Sequence, residues 1–432
     1  MKATLLMPAG LSIRIALTSF LWQAGSTLTS GVFFNWFVQE AGAKGWMLGL
    51  LLALPDLCGL AGLYARPLLQ SGWGRRHLWW FSTIVSRLFF VCIPGIALLH
   101  HEFPDPQTAL WLIILAISLA SIFQGIAFAA WSDWISLLAA PPLWGKTLAI
   151  RSMAMIATQL LLPLIAGAIR DFAQSQARMT GSNQLLIMVY AGIFLTGVLL
   201  QLASLLPMLA LPEVVLAQVR RSTGLWATLR ESFQQPGYGW LIAHAWCLGA
   251  ANGLTQAVLA QYQYQILKMS ILPMQAMFSL MYLIQLPASW QGGQFSSRHR
   301  EGFVLTFGTA ITASSMLFFY FSSPENWWMI GGAYVVWGAF GAVNVAGPHM
   351  ALRLSPEGDR SASFAVFRLG AGMAAGLSGI AGAWWLSWQL EASTPENAMA
   401  AYQTLFLASL AGRCLASLLA CGTWCSQKHR ED

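Results

Sequence analysis

One carboxylate and one arginine stand out because each interrupts a long apolar stretch. Asp56 lies in LALPDLCGL directly after Pro55, and Arg87 lies in the middle of the next apolar stretch. A charge at the centre of a bilayer costs about 2.5–3.5 kcal/mol on insertion scales, so such residues are usually paired or functional. We predict that Asp56 and Arg87 pair. The carboxyl group then either binds and releases a proton for coupling or forms a fixed structural ion pair, and the sequence leaves both interpretations open.

Arginines gather in the short polar turns, where one carboxylate is placed to meet them. Asp133 lies in AAWSDWISLL, within reach of the turn Gly74-Arg75-Arg76 or of Arg151. Ion pairs that break and re-form can switch a protein between two states. The alternative is a solvated cluster that stabilises little, since exposed pairs contribute about 0–1 kcal/mol. The predicted gate consists of Arg66, Arg75, Arg76, Asp133, Arg151, Arg298, Arg300 and Arg360.

Uncharged amide, hydroxyl and indole side chains recur inside the apolar stretches. An amide that faces lipid is costly, so these groups should face other helices or a wet cavity. Amides can bind hydroxyl or amide groups of a solute, and indole rings pack on its apolar or ring surfaces. For any single residue, a hydrogen bond between helices is the alternative. The residues are Gln23, Thr27, Gln124, Trp131, Gln159, Asn252, Gln256, Gln285, Trp337 and Asn344.

Twelve long apolar segments hold these residues. The chain of 432 residues is 57% hydrophobic and 9% charged, whereas soluble domains carry about 25% charged residues. A helix of about 20 apolar residues crosses a bilayer, and the short alternating runs of a barrel are absent. We therefore predict an all-α polytopic membrane protein with twelve transmembrane helices. The segments are 11–37, 44–66, 78–99, 109–138, 147–170, 185–211, 239–266, 271–291, 302–321, 326–353, 361–389 and 398–424.

Lysine and arginine are distributed unevenly over the loops. If the N-terminus is cytoplasmic, fifteen lie on the cytoplasmic side. Four lie on the outer side: Lys44, Arg170, Arg178 and Lys268. Four more lie within the predicted segments: Arg14, Arg87, Arg368 and Arg413. By the positive-inside rule, both termini are predicted to be cytoplasmic, and we expect the protein in the inner, cytoplasmic membrane of the cell.

The longest polar segment separates two sets of six apolar segments. Apolar residues at helical spacing within it predict a short interfacial helix. The turns SGWGRRH (71–77) and SSRHREG (296–302) occupy corresponding places in the two sets. Internal repeats of this kind are typical of secondary transporters. We predict two pseudo-symmetric six-helix bundles, over 1–211 and 239–432, joined by a cytoplasmic loop over 212–238.

These features resemble the major facilitator superfamily. The resemblance rests on two sets of six spans, the long middle loop and a Gly-Arg-Arg turn after the second span. The turn in that family reads Gly-x-x-x-Asp-Arg-x-Gly-Arg-Arg. Gly62 and Gly74-Arg75-Arg76 match its ends, but Arg66 stands near the place of the Asp and the loop is longer. The resemblance implies a cavity lined by helices one, four, seven and ten, with parts of five, eight and eleven. It also implies that the Asp133 pair latches the cytoplasmic side in the outward-facing state.

The expected function is secondary active transport of a small neutral or amphipathic solute by alternating access. Proton coupling through Asp56 and facilitated diffusion are both open. Export of amphipathic or toxic compounds is an alternative. A non-transporting membrane sensor or a lipid-handling protein is an alternative of another class.

Several other classes of function lack their sequence features. There is no complete Walker-type loop, Gly-x-x-x-x-Gly-Lys-Ser/Thr, for ATP and no Ser/His/Asp or Cys/His set for catalysis, so we expect no enzyme activity, cofactor or metal. The cations form no stripe or tail, which argues against a nucleic-acid partner. The expected partners are the solute, the lipid bilayer and, if coupling holds, protons. We expect a monomer.

Overall fold

The computed structural model describes residues 10–43, 45–99, 105–138, 144–213, 225–235, 237–298, 300–355, 360–392 and 395–431. Within these residues the regular secondary structure is helical. The first half contains α1 (Leu11–Thr29), α2 (Gly31–Glu40), α3 (Gly45–Cys58), α4 (Ala65–Gln70), α5 (Arg75–Leu99), α6 (Pro106–Leu138), α7 (Trp144–Thr180) and α8 (Gln184–Ala203). The second half contains α9 (Leu225–Gln234), α10 (Tyr238–Gln261), α11 (Ile271–Ser297), α12 (Glu301–Ala313), α13 (Ser315–Phe321), α14 (Met329–Trp337), α15 (Phe340–Leu354), α16 (Arg360–Ala392) and α17 (Pro395–Glu431).

Several spans are built from two helices that meet at a break. Span 1 consists of α1 and α2, which meet where Ser30 is extended and Gly31 has a φ of +67°. Glycine adopts this left-handed conformation without a steric penalty. Span 2 consists of α3, the 3₁₀ segment Gly59–Tyr64 and α4. The other spans are, in order, α5, α6, α7, α8, α10, α11, α12 with α13, α14 with α15, α16 and α17.

Ten of these spans are long and apolar enough to cross a membrane by length and composition. The two others are span 1 and span 7. The sequences of α1 and α10 include hydroxyl, amide and histidine side chains, which lower their hydropathy. Both still pack within the bundle, α1 against α7 and α8, and α10 against α16 and α17. The predicted all-α membrane fold is confirmed, and its twelve segments correspond in order to these spans.

The terminal face is the side of the bundle on which α1 begins and α17 ends. In the first half, the Arg14 guanidinium lies 3.4 Å from the carbonyl oxygen of Pro207 there. In the second half, Gly237 lies beside Ser426 and Leu354. The placement of this face in the cytoplasm stays a prediction.

Four buried apolar clusters hold the helices together. Two of them consist of residues from the first half, and a third consists of residues from the second half. The fourth crosses between the halves and includes Phe33 and Trp36 with Tyr262 and Met274. Burial of such side chains is the main force that holds elements together, at about 25 cal/mol per Å² of apolar surface. The halves are therefore packed on each other through apolar contacts.

Glycines set the spacing of the helices around the centre. A Cβ atom on Gly62 would lie 2.9 Å from the carbonyl oxygen of Gly125, so the 3₁₀ segment can approach α6 closely only at glycine. A Cβ atom on Gly376 would lie 2.9 Å from the Leu57 side chain. The small residues of α16 therefore let it lie directly against α3, as small residues do in membrane helices.

The segment between the halves contains the predicted short helix. It is α9, within the predicted loop 212–238. The Phe233 ring meets the Trp246 ring of α10 edge-on at 5.7 Å between centroids. Residues 214–224 lie outside the described residues. The division into two bundles at this loop stays a prediction.

Candidate functional site

Asp56 faces the second half of the chain. It follows Pro55 in α3, and a Cβ atom on Gly372 of α16 would lie 3.5 Å from its Oδ1. Arg368 lies one helical turn before Gly372, and its charge interacts with that of Asp56. No described ion pair within 4.0 Å joins Asp56 to Arg87. The predicted ion pair is therefore not formed in the described structure. Arg368 is the cation whose charge acts on Asp56, although these two residues also form no ion pair within 4.0 Å.

Arg87 is buried inside the first half, 2% exposed. Its Nη1 lies 3.3 Å from the Ser86 hydroxyl, and its guanidinium lies 5.9 Å from the centroid of Phe90. The Ser86 hydroxyl donates in turn to the carbonyl oxygen of Ala120 on α6, at 2.8 Å. The packing of α5 against α6 thus places Arg87 among neutral groups and away from Asp56.

Two aromatic rings on α6 each pack against an arginine side chain. Phe128 and Trp131 stack with 6.1 Å between centroids and 28° between planes. The guanidinium carbon of Arg368 lies 4.6 Å from the Phe128 centroid, and that of Arg151 lies 5.2 Å from the Trp131 centroid. Cation–π contacts of this kind contribute about 0.5–2 kcal/mol each. Because Arg368 belongs to α16, this arginine reaches across from the second half to α6 of the first.

The two arginines are close enough for their charges to repel each other. Asp56 interacts with Arg368. Within the described part of the chain, Arg151 forms no ion pair within 4.0 Å. We name the group of Asp56, Phe128, Trp131, Arg151 and Arg368 the central cluster. It brings together α3, α6, α7 and α16, and it holds two cations for one carboxylate.

Two of the predicted amides have buried oxygen acceptors without a described partner. Gln124 lies one turn before Phe128 on α6, and its Oε1 is buried with no hydrogen-bond partner among the described residues. The Oδ1 of Asn252 on α10 is also buried with no hydrogen-bond partner among the described residues. The neighbour of Asn252, Gly253, packs against Ala375 of α16. Buried acceptors of this kind need a partner, such as water or a ligand.

The other predicted cavity residues differ in burial. Gln256 and Asn344 are exposed, Gln159 is half-buried and Gln285 is buried. Gln23 lies 3.5 Å from Thr27 on the same helix.

Trp337 belongs to a contact within the second half. Its ring lies 5.1 Å from the guanidinium of Arg413, which is fully buried. Arg413 also lies 3.2 Å from the Ser315 hydroxyl and 3.4 Å from the carbonyl oxygen of Thr312. Its Nε and Nη2 have no hydrogen-bond partner in the described structure. Trp337 is thus placed on a buried cation and not on the central cluster.

The residues of the predicted gate form contacts inside the first half. Arg75 donates from Nε to Oδ2 of Asp133 at 2.5 Å. The backbone N–H of Arg76 donates to the Glu213 carboxylate at 3.1 Å, and its Nη2 donates to the carbonyl oxygen of Leu209 at 2.8 Å. The Arg75–Asp133 contact agrees with one of the predicted pairings. Its action as a latch stays a prediction.

The remaining gate residues take other positions. Arg66 is half-buried, and Arg298 and Arg300 are exposed. The side chain of Arg360 lies outside the described residues. Among the described ion pairs at the terminal face, none joins the two halves.

An acid in the second half was missed by the sequence analysis. Glu301 begins α12, is fully buried, and lies 3.2 Å from Nη2 of Arg353 and 2.9 Å from Nδ1 of His349. The sequence feature that could have indicated Glu301 is its position at the start of a span, directly after Arg300. The prediction assigned only the arginines of this turn to a site. In the structure, the buried charged residue of the turn is Glu301.

A second missed network lies on the face opposite the terminal face. Arg170 was predicted in an outer loop, but α7 continues to Thr180 and buries it. Its guanidinium donates to Glu40, which also accepts from Tyr190 at 2.9 Å and from the Trp36 indole at 2.9 Å. The Trp36 ring meets the Tyr264 ring of the second half edge-on, with 4.8 Å between centroids. This contact joins the halves on the opposite face.

Comparisons with known proteins agree with this architecture. The profile of the Major Facilitator Superfamily matches residues 15–342. No curated protein sequence matches the chain. A bacterial homologue of the iron transporter ferroportin in the outward-facing state is similar, with a TM-score of 0.67 and 17% identity, covering 95% of this chain and 98% of that one.

Two further solved structures share the fold. A D-xylose–proton symporter has a TM-score of 0.67 and 15% identity, covering 96% of this chain and 97% of that one. The nucleoside transporter NupG has a TM-score of 0.65 and 12% identity, covering 96% and 99%. At these identities the likeness concerns the fold, while the profile covers most of the chain. The chain therefore belongs to the Major Facilitator Superfamily, as a multi-pass membrane transporter and not an enzyme.

Proposed function

We propose that the protein moves a small amphipathic solute by alternating access and binds it at the central cluster. Arg368 carries this proposal. It belongs to the second half, yet it lies on Phe128 and interacts with Asp56, both of the first half. If the two halves rock against each other, as in secondary transporters, a side chain held by both must change its partners. The aromatic rings beside it suit the apolar part of a solute.

Coupling to protons is the second part of the proposal, and Asp56 is its site. A carboxylate that faces an arginine across the halves has two states: ionised and held by Arg368, or protonated and released from it. Coupling requires a group that alternates between two states, and the Asp56 carboxyl group has them. A proton symporter among the solved structures of similar fold supports this chemistry within the fold. We also propose that both termini face the cytoplasm of a cell whose inner membrane holds the protein.

The proton hypothesis is tested with Asp56→Asn in proteoliposomes. A solute is first selected by thermal-shift screening, because a ligand that binds the folded state raises its apparent stability. The variant should lose accumulation driven by a pH gradient and keep counterflow. Glu325→Gln, an exposed carboxylate, is the matched control and should keep both. Normal accumulation by Asp56→Asn would remove Asp56 from coupling. The sign of the accumulation also separates uptake from export.

Alternating access is tested at the Trp36–Tyr264 contact, which joins the halves on the opposite face. The six native cysteines are replaced by serine, and Trp36→Cys with Tyr264→Cys is cross-linked by a short bifunctional reagent. Transport should stop, and it should return when the cross-link is cleaved. The control pair is Trp46→Cys with Trp111→Cys, whose rings lie 6.3 Å apart within the first half. Full transport by the cross-linked Trp36–Tyr264 pair would contradict rocking of the halves.

A further inference from the structure

We infer that the solute is an organic anion, and that its carboxylate or phosphate group binds between Arg151 and Arg368. This inference rests on the proposed function, because it specifies the solute of the same cluster. The two arginines come from α7 and α16, one from each half of the chain. They reach neighbouring rings of a single helix, α6.

The first argument is the number of charges. Arg151 and Arg368 repel each other, and Asp56 is the carboxylate that interacts with Arg368. Arg151 lacks a carboxylate within 4.0 Å in the described part of the chain. Clefts lined by charge of one sign concentrate ligands of the opposite sign. A bound anion would give the second arginine a counter-charge.

The second argument is the use of the guanidinium groups. Stacking on an aromatic ring occupies the face of a guanidinium and leaves the N–H donors at its edge. None of the described residues accepts a hydrogen bond from Arg151 or Arg368. Arg368 is exposed and Arg151 is half-buried, so a solute can reach both. Two oriented, accessible guanidinium groups can each donate to the oxygens of one carboxylate or phosphate.

The third argument concerns the rest of the solute. Phe128 and Trp131 offer ring surface beside the arginines. Gln124 lies on the same face of α6, with a buried Oε1 that has no partner among the described residues. An amide oxygen accepts hydrogen bonds, so it matches a hydroxyl or N–H group. The solute is thus an anion with an apolar or ring body and at least one donor.

The anion also affects Asp56. Both carry negative charge beside Arg368, so binding of the anion competes with the electrostatic attraction between Asp56 and Arg368. A neutral solute would leave that link in place. The anion thereby supplies a physical reason for the two halves to change partners during transport.

The test is binding by the full-length protein in detergent, using matched pairs of solutes. The pairs are 4-hydroxybenzoate with 4-hydroxybenzyl alcohol, and glucose 6-phosphate with glucose. At least one anion should raise the unfolding temperature, and its neutral partner should not. Arg151→Gln and Arg368→Gln should each weaken that binding at least tenfold. Arg178→Gln, an exposed arginine near the end of α7, should leave it unchanged.

Folding is checked by the melting curve without solute, and Arg151→Lys and Arg368→Lys retain the charge if the glutamine variants unfold. These lysine variants should bind the anion more weakly than the native protein. Equal stabilisation by the neutral partner, or native affinity in both arginine variants, would overturn the inference.

A third arm uses lipid nanodiscs with and without phosphatidylglycerol, because a lipid headgroup also carries phosphate. Stabilisation by the anionic lipid alone, with no effect of the soluble anions, would overturn the inference. Anion binding without counterflow would instead contradict the proposed function. Counterflow of a neutral solute with no anion binding would contradict only the inference that the solute is an anion.

Discussion

The two halves place an ion pair at corresponding positions, with the charges exchanged. In the first half, Arg75 is the first residue of α5, the third span, and it binds Asp133 of the fourth. In the second half, Glu301 is the first residue of α12, again the third span, and it binds Arg353 of the fourth. The position is common to both halves, whereas the sign of the charge is not.

The exchange matters because a helix N-terminus carries partial positive charge, so it favours an acid and disfavours a cation. Glu301 fits this preference and is fully buried beside Arg353. Arg75 opposes it, and Glu213 offsets the conflict by accepting the N–H of Arg76. Asp133 retains 20% of its side-chain exposure. The carboxylate is thus the more buried partner in the second half, where Arg353 is 26% exposed, and the less buried partner in the first half, where Arg75 is 9% exposed.

The largest effect is expected for Glu301→Gln. The variant removes the charge of a fully buried carboxylate that contacts Arg353 and His349, and breaking a buried pair costs about 3–5 kcal/mol. Thermal unfolding in detergent measures the loss, with Glu325→Gln as the exposed control. A change below about 1 kcal/mol, the value of an exposed pair, would mean that the two pairs do not differ.

A smaller loss is expected for Asp133→Asn, because the site is partly solvated. Hydrogen bonds to charged groups contribute about 1.5–3 kcal/mol, and solvent reduces this, so we expect about 1–2 kcal/mol. The measurement is the same unfolding experiment. A loss as large as that of Glu301→Gln would remove the distinction between the halves.

The smallest effect is expected for Glu213→Gln. A carboxylate at a helix N-terminus contributes about 0.3–1 kcal/mol, and salt screens it. The difference from the native protein should therefore shrink when unfolding is repeated in 1 M NaCl, where the Debye length is about 3 Å. A difference that grows with salt would exclude this electrostatic role.

The spans could be predicted from the sequence because hydropathy is a local property. Each apolar segment became a span in the expected order. The Arg75–Asp133 contact was also accessible, since both residues lie at the ends of spans that are adjacent in the chain. Span 1 and span 7 show the limit of hydropathy, because their polar residues lower it although both pack within the bundle.

The partner of Asp56 could not be predicted, because depth in the membrane does not fix the direction of a side chain. Arg87 and Arg368 both lie inside spans. The packing of α5 on α6 places Arg87 among neutral groups, and the small residues of α16 bring that helix against α3, so that the charge of Arg368 acts on Asp56. Arg170 was misplaced because α7 extends beyond its apolar stretch. These outcomes depend on helix rotation and helix length, which a single sequence does not determine.

Arg413 bears on how the chain is inserted into the membrane during synthesis. An arginine at the centre of a lone helix opposes insertion by about 2.5–3.5 kcal/mol. Its described contacts, with Thr312, Ser315 and Trp337, all belong to spans that are made earlier. The ribosome therefore delivers α17 after the groups that receive its cation exist. Biogenesis of the last span should depend on spans 9 and 10 already being in place.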